Sequence, residues 1–172
     1  MSLKTSPIWA KFIFCLSIIS THGVAEPYAG LAYGYGNAEY LPSSTEAFSH
    51  GNPSLVVLQG GYFFNDYLAV EARYATSVQR ASRLNVDSLV SALVKANFPI
   101  SSQVSIYALS GYSAYSINKQ AVGTVDDQGF SLGAGVHYAF DNHTALALDF
   151  VNYANGDEAR LNSINLGFQY KF

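Results

Sequence analysis

Residues Ser163–Phe172 read Ser-Ile-Asn-Leu-Gly-Phe-Gln-Tyr-Lys-Phe, and apolar and polar side chains alternate through the whole stretch. Successive side chains leave a β-strand on opposite faces, so this period of two predicts a strand with one apolar face. At the edge of a soluble sheet, such a strand would expose its apolar face beside an unpaired backbone ladder. In a closed barrel every backbone group is paired and the apolar face can meet lipid. The stretch therefore favours a transmembrane β-barrel.

The composition agrees with a barrel that hides its hydrophobicity by alternation. The chain has 172 residues, which suits one domain, and it is 49% apolar but only 12% charged. Tyr (13), Phe (11) and Gly (14) are abundant, as is typical of β structure with close backbone approaches. No apolar run reaches the roughly 18 residues that a spanning helix needs. The net charge of −3 argues against a nucleic-acid partner, which would require a basic face.

Residues 1–25 have the pattern of a secretory signal peptide. Lys4 and Lys11 supply positive charge, the stretch 12–19 forms a short apolar core, and Gly23-Val24-Ala25 supplies small residues at a cleavage site. The alternative is an N-terminal helix that the mature protein keeps. The only cysteine, Cys15, lies in this segment, so the domain predicted for residues 26–172 has no disulfide or thiolate chemistry.

From Glu26 onward, the alternation predicts eight strands joined by alternately long and short connections. Their approximate ranges are 28–38, 54–64, 67–77, 86–98, 104–116, 129–140, 145–153 and 163–172. The register of the fifth and seventh strands is left open. Each strand is near the length that a tilted strand needs to cross a bilayer. Short periplasmic turns and longer outer loops produce such connections in outer-membrane barrels.

The predicted fold is all-β: an eight-stranded antiparallel up-and-down transmembrane β-barrel. A soluble up-and-down barrel, such as a lipocalin, is the alternative. It is disfavoured because a lipocalin turns its apolar face inward, whereas here the inward set contains the charges and glycines.

Several stretches resemble the OmpX/Ail family of small outer-membrane barrels and the transmembrane domain of OmpA. They are 103–108, Gly111-Tyr112, 129–135, 147–150 and the ending at Phe172. The resemblance implies location in the outer membrane of a Gram-negative bacterium. It also implies that Phe168, Tyr170 and Phe172 form a signal for the barrel-assembly machinery. A surface role in adhesion, serum resistance or envelope integrity, through a host or surface ligand of the loops, is implied as well.

Charged residues are predicted to face the interior of the barrel. An eight-stranded barrel is just wide enough inside for side chains. Charges removed from water must pair, or the cost is several kcal/mol per ion. We therefore expect a lumen network in which Glu71 and Asp149 accept from Arg73, Lys95 and Lys171. A side-chain plug is favoured, and a narrow low-conductance pore is the alternative.

The loops offer weaker candidates for binding. Arg80 and Arg83 could pair with lipopolysaccharide phosphates through charge-assisted hydrogen bonds, although a solvated loop explains them equally well. Loop acids could bind divalent cations that bridge to lipopolysaccharide, but adjacent acids are a weak signal. These acids are Asp126, Asp127, Asp157 and Glu158.

Catalysis is the least favoured reading. Some small outer-membrane barrels modify lipids, which requires a Ser, a His and a carboxylate that converge near the membrane surface. His50, His137 and His143 show no such spacing. The sequence thus predicts no enzyme activity, no cofactor and no metal site, in a monomer whose partners are membrane lipid and lipopolysaccharide.

Overall fold

The computed structural model of the chain describes residues 26–40, 49–78, 84–119, 123–155 and 159–172. The predicted signal peptide therefore lies outside the described residues. The strands, in chain order, are β1 (Glu26–Tyr40), β2 (Ser49–Gly51), β3 (Ser54–Asn65), β4 (Leu68–Ser77), β5 (Leu84–Pro99), β6 (Val104–Lys119), β7 (Gly123–Ala139), β8 (Thr144–Asn155) and β9 (Ala159–Lys171). Among these described ranges, no helix is long and apolar enough to cross a membrane.

The strands close into a barrel. Each long strand pairs antiparallel with its neighbours in chain order, and β9 returns to pair with β1 from Tyr28↔Lys171 to Tyr40↔Ala159. The three-residue β2 pairs only with β1, just beyond the end of the β1–β3 ladder. It therefore continues the wall formed by β3 and adds no ninth wall strand. The predicted eight-stranded antiparallel barrel is confirmed.

The alternation of the sequence appears directly as alternation of burial. β4 alternates exposed and buried side chains through seven positions from Leu68 to Tyr74, and the other wall strands behave in the same way. Exposed residues include Leu31, Leu58, Phe130, Leu132, Phe150, Ile164, Leu166 and Phe168. The open register of β6 is settled: Tyr107 and Tyr115 point inward, while Ile106 and Tyr112 point outward. Outward apolar and inward polar faces are the arrangement that lipid requires.

Three short turns lie at the same end of the barrel as the start of β1 and the end of β9. Side-chain caps stabilise each turn. The Asn65 Oδ1 atom accepts the N–H groups of Tyr67 and Leu68 at 2.9 Å, and Asp141 accepts those of His143 and Thr144. Short turns mark the periplasmic end of an outer-membrane barrel, so this is called the turn end and the opposite one the loop end.

Several strands extend farther toward the loop end than the alternation predicted. β7 begins at Gly123, although the sequence favoured a loop from Ile117 to Gln128, and β6 continues to Lys119. The boundary at Gly129 was therefore wrong. Residues 123–128 are mostly polar and show no apolar face, yet their backbone pairs with β6 as far as Lys119↔Gly123.

Candidate functional site in the barrel lumen

Arg73 joins two carboxylates that come from different strands. Its Nε donates to Glu71 Oε1 at 2.5 Å on the same strand, β4. Its two terminal nitrogens donate to Asp149 on β8, with Nη2–Oδ2 and Nη1–Oδ1 distances of 2.7 and 3.1 Å. All three side chains are buried. Bidentate pairing of this kind is the strongest that a guanidinium makes, so Arg73 ties opposite walls of the barrel together.

Inward tyrosines complete the hydrogen bonding of the two carboxylates. Tyr28 donates to Glu71, and Tyr107 donates to Asp149 at 2.9 Å. The amide of Asn165 adds a further bond to Asp149 at 2.7 Å. The ring of Tyr107 fits because Gly135 lies opposite: a Cβ there would meet the ring at 2.5 Å. Each of the two buried carboxylates is thereby surrounded by donors, as burial requires.

Lys95 is the one member of the cluster that lacks a hydrogen bond among the described residues. Its Nζ lies 3.8 Å from Glu71 Oε2 and is completely buried. It lies 4.2 Å from the ring centroid of Tyr107, 5.3 Å from that of Tyr28 and 5.6 Å from that of Phe63. Cation–π attraction and the charge of Glu71 therefore hold the ammonium in place of hydrogen bonds.

Lys171 does not join this cluster, so its predicted place in the network was wrong. Its Nζ pairs with Glu26 Oε2 at 2.6 Å, and both side chains are about one-third exposed. Lys171 is the last residue of β9 and pairs in register with Tyr28 at the turn end. The ammonium therefore lies at the barrel mouth, where the first residue of β1 is nearer than Glu71 or Asp149.

An apolar layer fills the lumen between the charged cluster and the loop end. Its members include five residues with no exposed surface: Leu55, Val57, Leu89, Val151 and Leu161. Beside them a chain of serines crosses β5, β6 and β7: Ser91 and Ser131 both bond to Ser113, at 2.7 and 2.6 Å. Side chains therefore occupy the lumen at two levels, a charged bridge and a packed apolar layer.

At the turn end the lumen opens into a cavity of about 330 Å³, called the vestibule below. Tyr28, Phe63, His137 and Gln169 line its wall, and residues of the three turns form its rim. The rings of Tyr28 and Phe63 belong to this wall, and Lys95 lies over the same two rings.

The loop-end candidates fall partly outside the described residues, where Arg80, Arg83, Asp157 and Glu158 lie. Asp126 and Asp127 were predicted to lie in a loop, but they belong to β7. Ser116 donates to Asp126 at 2.5 Å, and Tyr115 donates to Asp127 at 2.9 Å, so both acids have partners within the sheet.

Two aromatic residues of β9 and Phe172, which follows the strand, face outward near the turn end. Phe168, Tyr170 and Phe172 are each close to half exposed or more. The rings of Tyr170 and Phe172 meet edge to face, with centroids 5.2 Å apart, and His143 stacks on Tyr170 at 6.0 Å. They form part of an interfacial aromatic girdle.

The described histidines form no catalytic cluster. His137 and His143 lie at the vestibule, away from the outer rim where a lipid-modifying site was sought, and neither bonds to a serine hydroxyl in the described structure. The side chain of His50 lies outside the described part. Within the described ranges, no three His, Cys, Asp or Glu residues are close enough to hold a metal ion.

Sequence comparison identifies the family. The family model of the outer membrane protein beta-barrel domain matches residues 13–172. The chain belongs to this family. As an outer membrane protein beta-barrel, it is located in the bacterial outer membrane, and the sequence-based recognition of small outer-membrane barrels is confirmed. No curated protein matches the chain significantly.

Solved structures support the same fold. Ail of Yersinia pestis, in complex with the heparin analogue sucrose octasulfate, is 18% identical with a TM-score of 0.62, covering 86% of this chain and 99% of Ail. Neisserial surface protein A is 18% identical with a TM-score of 0.61, over 85% and 97% of the two chains. The N-terminal β-barrel domain of Pseudomonas aeruginosa OprF is 16% identical with a TM-score of 0.56, over 83% and 97%. At these identities the likeness concerns the fold.

Sequence reasoning missed several residues of the lumen cluster. The charged groups of the cluster bond to Tyr28, Tyr107, Tyr153 and Asn165. The ammonium of Lys171 donates to Glu26. The alternation of β9 predicted that Asn165 faces inward, as Lys171 does. It gave no indication that the Asn165 amide would bond to Asp149. Tyr107 was missed because both faces of β6 are apolar, which left the register open.

Proposed function

We propose that this barrel is a non-enzymatic, non-conducting membrane anchor that holds a projecting β-sheet at the cell surface for contact with other proteins. The observation that carries the proposal is an open strand edge on β7. Pairing with β6 extends from Gly123 to Tyr138, but pairing with β8 begins only at Leu132. Among the described residues, no strand pairs with the other side of β7 along 123–130.

This edge extends beyond the membrane. A tilted strand crosses the bilayer in about 9–11 residues, whereas β7 has 17. Its outward apolar residues end at Phe130, and the next outward residues, Gln128 and Asp126, are polar and exposed. At about 3.3 Å per residue, the eight residues 123–130 provide roughly 26 Å of edge.

An open strand edge is a template for an extended segment of another chain. Its main-chain groups would supply affinity, and neighbouring side chains would select the partner. Asp126 and Asp127 place negative charge on this edge. A partner with basic residues in an extended segment therefore fits best, and adhesion, serum resistance or envelope integrity are the roles that such contacts would serve.

A polyanionic ligand fits less well. The structure of Ail contains a heparin analogue, sucrose octasulfate. Toward the loop end of this chain, however, acids outnumber bases: Glu39, Glu46, Asp87, Asp126, Asp127, Asp157 and Glu158 against Arg80, Arg83, Lys119 and Arg160. Repulsion between like charges would weaken the binding of a sulfated sugar.

Two further partners belong to this proposal. Arg80 and Arg83 would contact lipopolysaccharide phosphates, because the connection between β4 and β5 lies at the loop end. Phe168, Tyr170 and Phe172 would be read by the barrel-assembly machinery, which is supported by their outward position on the closing strand.

The test removes one hydrogen-bond donor from the edge. The N–H of Gln128 donates to the Asp127 carboxylate at 2.7 Å, and proline at this position removes that N–H. Bacteria that display wild type, Gln128→Pro or the control Gln128→Ala would be incubated with purified serum and extracellular-matrix proteins. We expect wild type and the alanine control to retain a protein that the proline variant loses about tenfold.

Heat-shifted gel mobility would first establish that each variant forms the barrel. Equal retention by wild type and the proline variant, or retention of no protein by any of the three, would contradict a role for the β7 edge.

A further inference from the structure

Four buried side-chain nitrogen or oxygen atoms have no hydrogen-bond partner in the described structure. Three of them are N–H donors on the turn-end side of the apolar layer. They are Gln59 Nε2, Lys95 Nζ and Gln169 Nε2. Each side chain is at least nine-tenths buried. A buried donor without an acceptor has lost its hydration with nothing in return, and a charged donor loses more, so three together require an explanation.

The three donors converge on the first residues of β1. Gln59 on β3 and Gln169 on β9 both pair in register with Gly30, one on each side of β1. A Cβ on Gly30 would lie 2.7 Å from Gln59 Nε2, so glycine leaves the space that this amide occupies. Lys95 lies over the ring of Tyr28, which precedes Gly30 by two residues on β1.

The vestibule reaches one of these donors, Gln169, directly. Gln169, Tyr28 and Phe63 line it, and Lys95 lies against the two aromatic rings. The rim carries Glu26, Asp66 and Asp141. Glu26 pairs with Lys171, and Asp141 accepts hydrogen bonds within its own turn. Remaining negative charge at the rim disfavours multiply charged ligands.

We infer that the vestibule is a binding site for a small monovalent anion, either a halide or a carboxylate group. A pure acceptor matches the buried, unpartnered N–H donor that Gln169 presents to the vestibule, whereas water would bring two hydrogens that themselves need acceptors. The Gln169 amide would bind the anion directly. Lys95 would contribute its positive charge from behind Tyr28 and Phe63, in a region of low dielectric where that charge acts strongly.

The test is a titration of the refolded, isotope-labelled barrel in a non-ionic detergent, which adds no anionic headgroups. Sodium bromide and sodium acetate are titrated separately, with ionic strength held constant by sodium sulfate. We expect saturable shifts of the side-chain amide signals of Gln169. Saturation by bromide alone assigns a halide site, and saturation by acetate assigns a carboxylate site.

Variants make the assignment specific. Gln169→Leu should raise the dissociation constant at least about tenfold, because a hydrogen bond to a charged ligand is lost. Lys95→Met should raise it as well. Gln128→Leu, a matched change on the outer face of β7, should leave it unchanged. Shifts that never saturate, or equal binding by the Gln169→Leu variant, would overturn the proposal.

Discussion

Arg73 contacts two carboxylates from different strands, and its removal takes the guanidinium partner from both. We predict that Arg73→Met destabilises the barrel by about 3–5 kcal/mol, the usual effect of removing one partner of a buried ion pair. Glu71 would retain Tyr28 and the ammonium of Lys95 at 3.8 Å, and Asp149 would retain Tyr107 and Asn165. Urea-induced unfolding in lipid vesicles would measure the change.

Lys95→Met is the matched control because it removes a cation of the same cluster that makes no hydrogen bond. Its cost should be clearly smaller than that of Arg73→Met. Equal losses from the two substitutions would show that net charge, and not the bridging geometry of Arg73, stabilises the cluster.

The residues of this cluster were only partly predictable from sequence. Parity along each strand is a local property, so it placed Glu71, Arg73, Lys95 and Asp149 inward. Height along the barrel axis depends on how strands are staggered, and parity carries no information about it. Lys171 was therefore assigned to acids that lie deeper, although its position at the end of the last strand already indicated the barrel mouth.

The pairing of β5 with β6 depends on a close approach at Gly111. A Cβ at this position would overlap the carbonyl oxygen of Ala92 and lie 2.8 Å from the Cα of Leu93. We predict that Gly111→Ala destabilises the barrel by about 1–3 kcal/mol, since backbone atoms must shift. Gly60→Ala is the control: its Cβ would face outward and meet only Tyr28 O, at 3.9 Å. Comparable unfolding midpoints for the two variants would refute this packing constraint.

The turn between β7 and β8 should make stability depend on pH. Hydrogen bonds from the Thr144 hydroxyl and from the N–H groups of His143 and Thr144 hold the pKa of Asp141 below its usual range. Because the pKa is lower in the folded state, this stabilisation is complete above the unfolded value of about 3.9 and is lost as pH falls below it.

The measurement compares wild type with Asp141→Asn at neutral pH and near pH 3. The stability advantage of wild type should shrink at the lower pH. Asn65→Ala removes a similar cap made by a neutral amide, so its cost should be the same at both pH values. An Asp141→Asn effect that is independent of pH would exclude the carboxylate as the cause.

Strand identity was predictable, but strand ends at the loop side were not. Inside the lipid band, the need for an apolar outer face imposes alternation on every strand, and that alternation is visible in the sequence. Beyond the band both faces meet water, so β7 could begin at Gly123 without an apolar pattern. The open edge of β7, which the proposed function needs, therefore left no mark in the sequence.

The whole molecule combines a lumen occupied by side chains with unequal strand heights. This occupation follows from the size of an eight-stranded barrel, which leaves room only for side chains. The charged bridge and the apolar layer occupy successive levels along the axis, as the register of β3 with β4 indicates: Gln59 pairs with Arg73, whereas Leu55 pairs with Ser77 nearer the loop end. We therefore expect that a substitution in one level leaves the packing of the other in place.

Occupation of the lumen at two levels predicts how the barrel behaves in a planar lipid bilayer. Refolded residues 26–172 should show no discrete conductance, and Arg73→Met should show none either, because the apolar layer remains packed. Adding Leu55→Ala and Leu89→Ala to Arg73→Met should produce small, reproducible steps, since both levels are then open to water. Steps from the wild-type barrel would contradict the plug and make Glu71, Arg73, Lys95 and Asp149 the pore residues to mutate. Silence from the triple variant, once heat-shifted mobility shows a folded barrel, would mean that other side chains close the lumen.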